Sequence, residues 1–154
     1  MTTLNNTKNL SAFNGSGVES PPAATGLVTL TATDDFYFEI PFSADADVQS
    51  IHIMTGALIA GVFTIETCNF PVGTAADCVT GWDETSGNWV QENPSDAYIP
   101  TVGTGWTVSA ATLTKTAGAG GAMITIDGLA AKRVRIKAAI TTSGTVRVTA
   151  HGKA

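Results

Sequence analysis

Two runs near the C-terminus decide the fold: Arg133-Val134-Arg135-Ile136-Lys137-Ala138-Ala139-Ile140, and after a short break Gly144-Thr145-Val146-Arg147-Val148-Thr149-Ala150-His151. In each run apolar side chains recur at every second position, the period of a strand with one buried face. Both apolar sets must reach the core, so the register between them can be tested. A two-residue loop at Ser143-Gly144 sets Ile140 against Arg147 and brings a charge onto the core face. A three-residue loop, Thr142-Ser143-Gly144, pairs Ile140 with Val146 and Ala138 with Val148, and it puts Gly144 where such loops need a left-handed residue. The expectation is a three-residue hairpin whose outer face is basic, carrying Arg133, Arg135, Lys137 and Arg147.

The same period of two runs upstream. Phe36, Phe38 and Ile40 alternate with Tyr37 and Glu39 before Pro41 stops the strand. Ile51 and Ile53 alternate with His52 and Met54, Phe63 and Ile65 with Thr64 and Glu66, Trp106 and Val108 with Thr107 and Ser109, and Ala122, Ile124 and Ile126 with Met123 and Thr125. Turn clusters separate them: Thr33-Asp34-Asp35, Ser43 to Asp47, Ser86-Gly87-Asn88, Asn93 to Asp96, and Gly118 to Gly121. Short strands at this spacing predict an all-β fold, an antiparallel β-sandwich of jelly-roll-like kind, over residues 26–154. Residues 1–25 are polar, aperiodic and interrupted by Pro21-Pro22, and they read as a flexible, extended N-terminal arm. Such an arm is either a frayed terminus or a segment that orders against a neighbouring subunit.

Composition narrows the class. Of 154 residues, 24 are Thr, 22 Ala and 16 Gly, and only 14% are charged. A helical bundle would need the Glu, Lys, Leu and Arg that this chain lacks. The net charge of −5 disfavours a nucleic-acid binder, which needs cations to displace counterions from phosphate. No apolar run approaches the roughly 20 residues that span a bilayer, and the polar beginning carries no export signal, so the expectation is synthesis in a cytoplasm without membrane contact. Cys68 and Cys78 either close one loop or stay as thiols, and a cytoplasmic chain keeps its thiols.

No reaction chemistry emerges from spacing. His52 and His151 stand alone, without the closely spaced second ligand that a metal site uses. Asn14-Gly15-Ser16-Gly17 lacks the strand–turn–helix setting of a serine nucleophile, and Gly118-Ala119-Gly120-Gly121 lacks the following helix of a phosphate cradle. Asp45 with Asp47, and Asp83-Glu84 with Asn88, carry calcium-type oxygens but match turn chemistry better than an EF-hand. The expectation is a protein that is not an enzyme, with no catalytic residue, no metal and no cofactor.

What remains is surface. Six of the eight Lys and Arg residues fall in 132–154, while twelve of thirteen acids precede Asp127. The basic stripe reads either as a solvated face or as one that docks on an acidic partner, such as the acidic half of another copy. Trp82, Trp89 and Trp106 lie in the loop-rich middle of the chain. They suit either the plug of a sandwich end or subunit interface, or a sugar-stacking platform of an adhesin or tail-spike module.

Several stretches carry a resemblance. Val48 through Leu58, with Ile51, Ile53 and Thr55-Gly56-Ala57-Leu58, then Phe63-Thr64-Ile65-Glu66-Thr67-Cys68-Asn69-Phe70-Pro71, Gly87-Asn88-Trp89-Val90-Gln91-Glu92-Asn93-Pro94 and the two C-terminal runs resemble small β-sandwich virion proteins of tailed bacteriophages. The likeness covers roughly residues 26–152 and is one of pattern, not of a diagnostic motif. It implies a non-catalytic structural protein of the virion, a capsid decoration (cement) protein or head-fibre base. Its implied partners are the major capsid protein and further copies of itself, as a homotrimer, and no catalytic or ligand residue carries over. The interface candidates are Arg133, Arg135, Lys137, Arg147, Trp82, Trp89 and Trp106.

Overall fold

The alternating runs all form strands in the computed structural model, which describes residues 5–15, 18–32, 34–40, 48–68, 90–91, 98–109, 112–116, 118–127 and 133–153. In chain order the strands are β1 (Asn5–Asn9), β2 (Ala12–Asn14), β3 (Glu19–Ser20), β4 (Val28–Leu30), β5 (Asp35–Glu39), β6 (Val48–Thr55) and β7 (Ala60–Cys68). They continue with β8 (Val90–Gln91), β9 (Tyr98–Val102), β10 (Trp106–Ser109), β11 (Thr112–Lys115), β12 (Gly120–Asp127), β13 (Arg133–Thr142) and β14 (Gly144–Lys153). The first sheet runs β1-β14-β6-β12-β9, with β4 also on β14; the second runs β10-β11-β7-β13-β5-β2-β3, with β8 also on β7. All pairings are antiparallel. The expected β-sandwich is the fold.

Its core is the set of side chains that the period of two singles out. Ile51, Ile53, Ala122, Ile124, Ile126, Val146, Val148 and Ala150 point inward from the first sheet. Phe36, Phe38, Phe63, Ile65, Leu113, Val134, Ile136, Ala138 and Ile140 meet them from the second. Each large aliphatic or aromatic side chain buried this way contributes about 1.5–3 kcal/mol. Several outward positions of the first sheet, among them Ser50, Thr125, Thr145 and Thr149, are Thr or Ser, which suit a strand without adding much apolar surface.

The C-terminal connection differs from the expected hairpin. β13 pairs with β5 and β7 in the second sheet, whereas β14 pairs with β1, β4 and β6 in the first. Ser143 is therefore a corner where the chain changes sheets, and Ile140 and Val146 face each other across the core instead of pairing. Parity alone does not separate the two arrangements, because the inner faces of a sandwich look at one another. Gly144 is not among the positive-φ glycines, which are Gly26, Gly105 and Gly118. It is small for another reason: a Cβ there would lie 2.8 Å from both the Ile59 nitrogen and the Ile59 Cβ. The corner is pinned by the Ala32 N–H, which donates to the Ser143 hydroxyl at 2.7 Å.

This corner is typical of the chain. β4 lies in the first sheet, β5 in the second, β6 in the first, β7 in the second, and β12, β13 and β14 continue the alternation. Tight hairpins among the described strands are β2–β3 and β10–β11.

The expected N-terminal arm, in its described part, is woven into the sandwich. β1 lies along residues 149–153 of β14, and β2 pairs with β5 in the other sheet. Leu10 and Ala12, between and at the start of these strands, are buried in the core. The Leu10 N–H donates to the Val148 carbonyl at 2.8 Å, and the Thr149 hydroxyl donates to Asn9 Oδ1 at 2.7 Å. Residues 5–14 thus close one open side of the sandwich by fastening a strand to each sheet.

Candidate functional site

With the two inner faces filled, the surfaces left for function are the two outer faces, and they differ. On the second sheet, Arg135 sits at an outward position, yet its exposure is 0%. Its Nε donates to Glu66 Oε1 at 2.7 Å, and its guanidinium lies 4.2 Å from the centre of the Tyr37 ring, which is buried as well. A planar, delocalised cation tolerates this setting because it can stack and pair at once. One register position along, Lys137 is half-buried with Nζ 3.9 Å from Asp35 Oδ2.

The expected basic stripe is therefore not assembled. Arg135 is covered, Lys137 faces an acid, and Arg147 belongs to the opposite outer face because β14 lies in the other sheet. Arg133 falls on β13 in register with Cys68, and its side chain is outside the described residues. Arg147 Nη2 is 3.2 Å from Met54 Sδ, and its stem lies under Gly26. Gly26 has φ of 84°, and a Cβ there would come within 2.7 Å of Arg147 Cδ, so no larger residue fits.

The tryptophans part in the same way. Trp106 is only 7% exposed and packs at a 56° tilt, 5.2 Å between centroids, on Phe63. It closes one end of the core and offers no ring face to a sugar or a subunit. Its Nε1–H has no hydrogen-bond partner among the described residues, a buried deficit of about 1–3 kcal/mol. Trp82, Trp89, Cys78, the Asp45–Asp47 turn and the Asp83–Asn88 cluster lie outside the described residues.

Next to Trp106 in register is Lys115, which the sequence reading passed over. It occupies an inward position two residues after Leu113, and it is almost fully buried. Its ammonium donates to the carbonyls of Thr116 and Gly118, and burial lowers its pKa from the ordinary 10.5. The signal was visible: Lys115 shares the parity of Leu113 and precedes a glycine-rich turn whose carbonyls can receive the charge.

The described side chains on the outer face of the first sheet are almost free of charge; Lys153 and Asp127 fall in register at one end of it, with side chains outside the described residues. Cross-strand rows run Thr7–His151–Ser50–Thr125, Asn9–Thr149–His52–Met123–Thr101 and Arg147–Met54–Gly121. Arg147 is the one permanent charge in these rows. His151 Nδ1 is 2.7 Å from the Thr7 hydroxyl, which ties β1 to the face. Met54 and Met123, 38% and 39% exposed, sit diagonally across β6 and β12 at its centre.

The second sheet carries a groove of about 250 Å3 on its outer face. Val62 and Ala139 form its apolar floor, with Thr64, Thr112, Gln91, Lys137 and Glu66 around it. It opens where the neighbour of β7 changes from β11 to β8. Among the described residues no group of three or more His, Cys, Asp or Glu side chains is placed to hold a metal ion.

Compared with protein-family models, with curated proteins and with solved structures, the chain matches none.

Proposed function

We propose that the protein is a non-enzymatic structural component of a bacteriophage virion, a capsid decoration (cement) protein that stabilises a shell through contacts with the major capsid protein and with further copies of itself in a trimer. The reading rests on the outer face of the first sheet. Its described side chains, chiefly Thr, Ser and His with two exposed methionines, lose little on desolvation, since among them only Arg147 must give up ionic hydration. Methionine side chains adapt to an uneven partner surface without a fixed rotamer. Many such contacts repeated around a closed shell add up through effective concentration, so each one need not be strong. The sequence resemblance points the same way. The basic stripe adds no support, because Arg135 and Lys137 are already engaged and Arg147 lies on the opposite face.

The test is mass spectrometry and copy counting on purified particles made from the genome that encodes this chain. The expected result is a copy number in a fixed ratio to the major capsid protein. Absence from intact particles overturns the proposal. Met54→Lys combined with Met123→Lys, on a face where surface changes shift stability by only about 0.5 kcal/mol each, should leave the fold intact and strip the protein from particles. Full retention of the folded double variant would remove the first-sheet face from the argument.

A further inference from the structure

We infer that the groove on the outer face of the second sheet is a binding site for a single neutral sugar ring. This stands apart from the virion reading: the groove lies on the face opposite Met54 and Met123, and neither proposal requires the other.

Size comes first. Pockets for drug-sized ligands span roughly 300–1,000 Å3. A groove of about 250 Å3 suits something smaller, about one ring with its substituents. Charge comes next. The two ionisable side chains at the groove, Glu66 and Lys137, carry opposite signs and each faces a countercharge of its own, Arg135 at 2.7 Å and Asp35 at 3.9 Å. An ionic ligand would lose its hydration without finding an uncompensated charge, so a neutral ligand is favoured.

The polar groups then select the chemistry. Thr64 and Lys137 are direct cross-strand neighbours, Thr112 lies one residue beyond the Leu113–Phe63 pair, and Gln91 is opposite Glu66. Hydroxyl, carboxamide, ammonium and carboxylate thus stand on β7, on β13 to one side of it and on β11 and β8 end to end on the other, columns about 4.8 Å apart that offer donors and acceptors around one small floor. A ligand with several hydroxyls, each both donor and acceptor, matches that set. The methyl groups of Val62 and Ala139 meet the C–H face of a pyranose. An extended peptide is the poorer match. β7 pairs with β13 on one side, and on the other with β11 as far as Phe63 and with β8 from Glu66, so among the described residues no more than the short stretch 64–65 is open to a peptide backbone.

The test uses the full chain, labelled with nitrogen-15, titrated with the methyl glycosides of glucose, galactose, mannose and N-acetylglucosamine, and separately with the uncharged peptide Gly-Thr-Gly. At least one glycoside should move the amides of Thr64, Thr112 and Lys137 saturably, while those of β6 and β12 stay still. Thr64→Val with Thr112→Val keeps shape and strand propensity and removes two hydroxyls, so affinity should fall about 10-fold with the spectrum otherwise unchanged. The proposal is overturned by any of three results: no saturable shift with any of the four glycosides, shifts that persist unchanged in the double variant, or equal binding of the peptide at the same residues. Should the double variant misfold, Gln91→Ala on the two-residue β8 serves in its place, with about a 5-fold loss expected and no loss counting against the site.

Discussion

On the outer face of the second sheet the central positions hold Arg135, Tyr37, Glu66, Lys137 and Asp35, with charges paired and the arginine buried. On the outer face of the first sheet the corresponding centre holds Thr149, His52, Met54 and Met123, and its one arginine leans on a methionine sulfur. The strands are alike in length and twofold alternation, so backbone geometry does not account for the difference. It lies in what each face does with charge. The second sheet uses its described ionic groups to hold itself together, and among the described residues its outward chemistry gathers at the groove. Among the described side chains the first sheet brings a single ionic group, Arg147, to its outer face, and most of that face stays available for contact.

The largest expected effect comes from the buried cation. Arg135→Ala leaves Glu66 half-enclosed without its partner and Tyr37 without the stacked guanidinium, so urea unfolding should show a loss of about 3–5 kcal/mol. Arg147→Ala, on the other face, should cost no more than about 1 kcal/mol. Equal losses for the two arginines would break the comparison.

Lys115 sharpens it, because this cation belongs to neither outer face. Its folded pKa lies below the 10.5 of the free side chain. Between the lowered value and 10.5 the unfolded chain therefore binds more protons than the folded one, and stability rises with pH across that window. Unfolding free energies of the wild type should gain on those of Lys115→Met as pH climbs toward 10.5. A difference that stays flat or shrinks would mean that the carbonyls of Thr116 and Gly118 fully offset the loss of hydration.

The smallest effect belongs to the pair at the groove's edge. Lys137 and Asp35, 3.9 Å apart and partly exposed, should contribute at most about 1 kcal/mol, and that share should fade at high salt. Lys137→Met measured at low and high ionic strength reports it. A salt-independent loss above that size would place Lys137 with Arg135 as a structural cation.

How much of this was legible before the structure depends on which physical rule wrote it into the sequence. Alternation of apolar and polar residues marks the side of a strand, and it puts Ile51, Ile53, Phe63, Ile65, Ile124, Val134, Ile136, Ala138, Ile140, Val146, Val148 and Ala150 inward, where they are. The same rule does not distinguish one sheet from the facing one, so β13 and β14 read as a hairpin. Arg135 was put on the outward side, where it is; no pattern of alternation tells whether an outward position is covered. Residues 5–14 bind mostly through their backbones, which every sequence possesses, and Leu10, Ala12 and Phe13 are the whole of their apolar signature. The groove was invisible for a related reason. Its walls come from β7, β8, β11 and β13, and only the pairing of those strands brings Thr112 and Gln91 beside Thr64.

The weaving of β1 onto β14 also sets a clock on biosynthesis. Asn9 and Thr149, which share a hydrogen bond, are 140 residues apart in the chain. At the usual ribosomal rate of roughly 5–20 residues per second, β1 waits about 7–28 s for the strand it pairs with. β4, the next strand of that sheet to be made, also waits for β14, and β6 waits for β12 and β14 alike. The first sheet is therefore assembled late and nearly at once, and until then its strand edges are open to any nascent copy of the same chain emerging nearby.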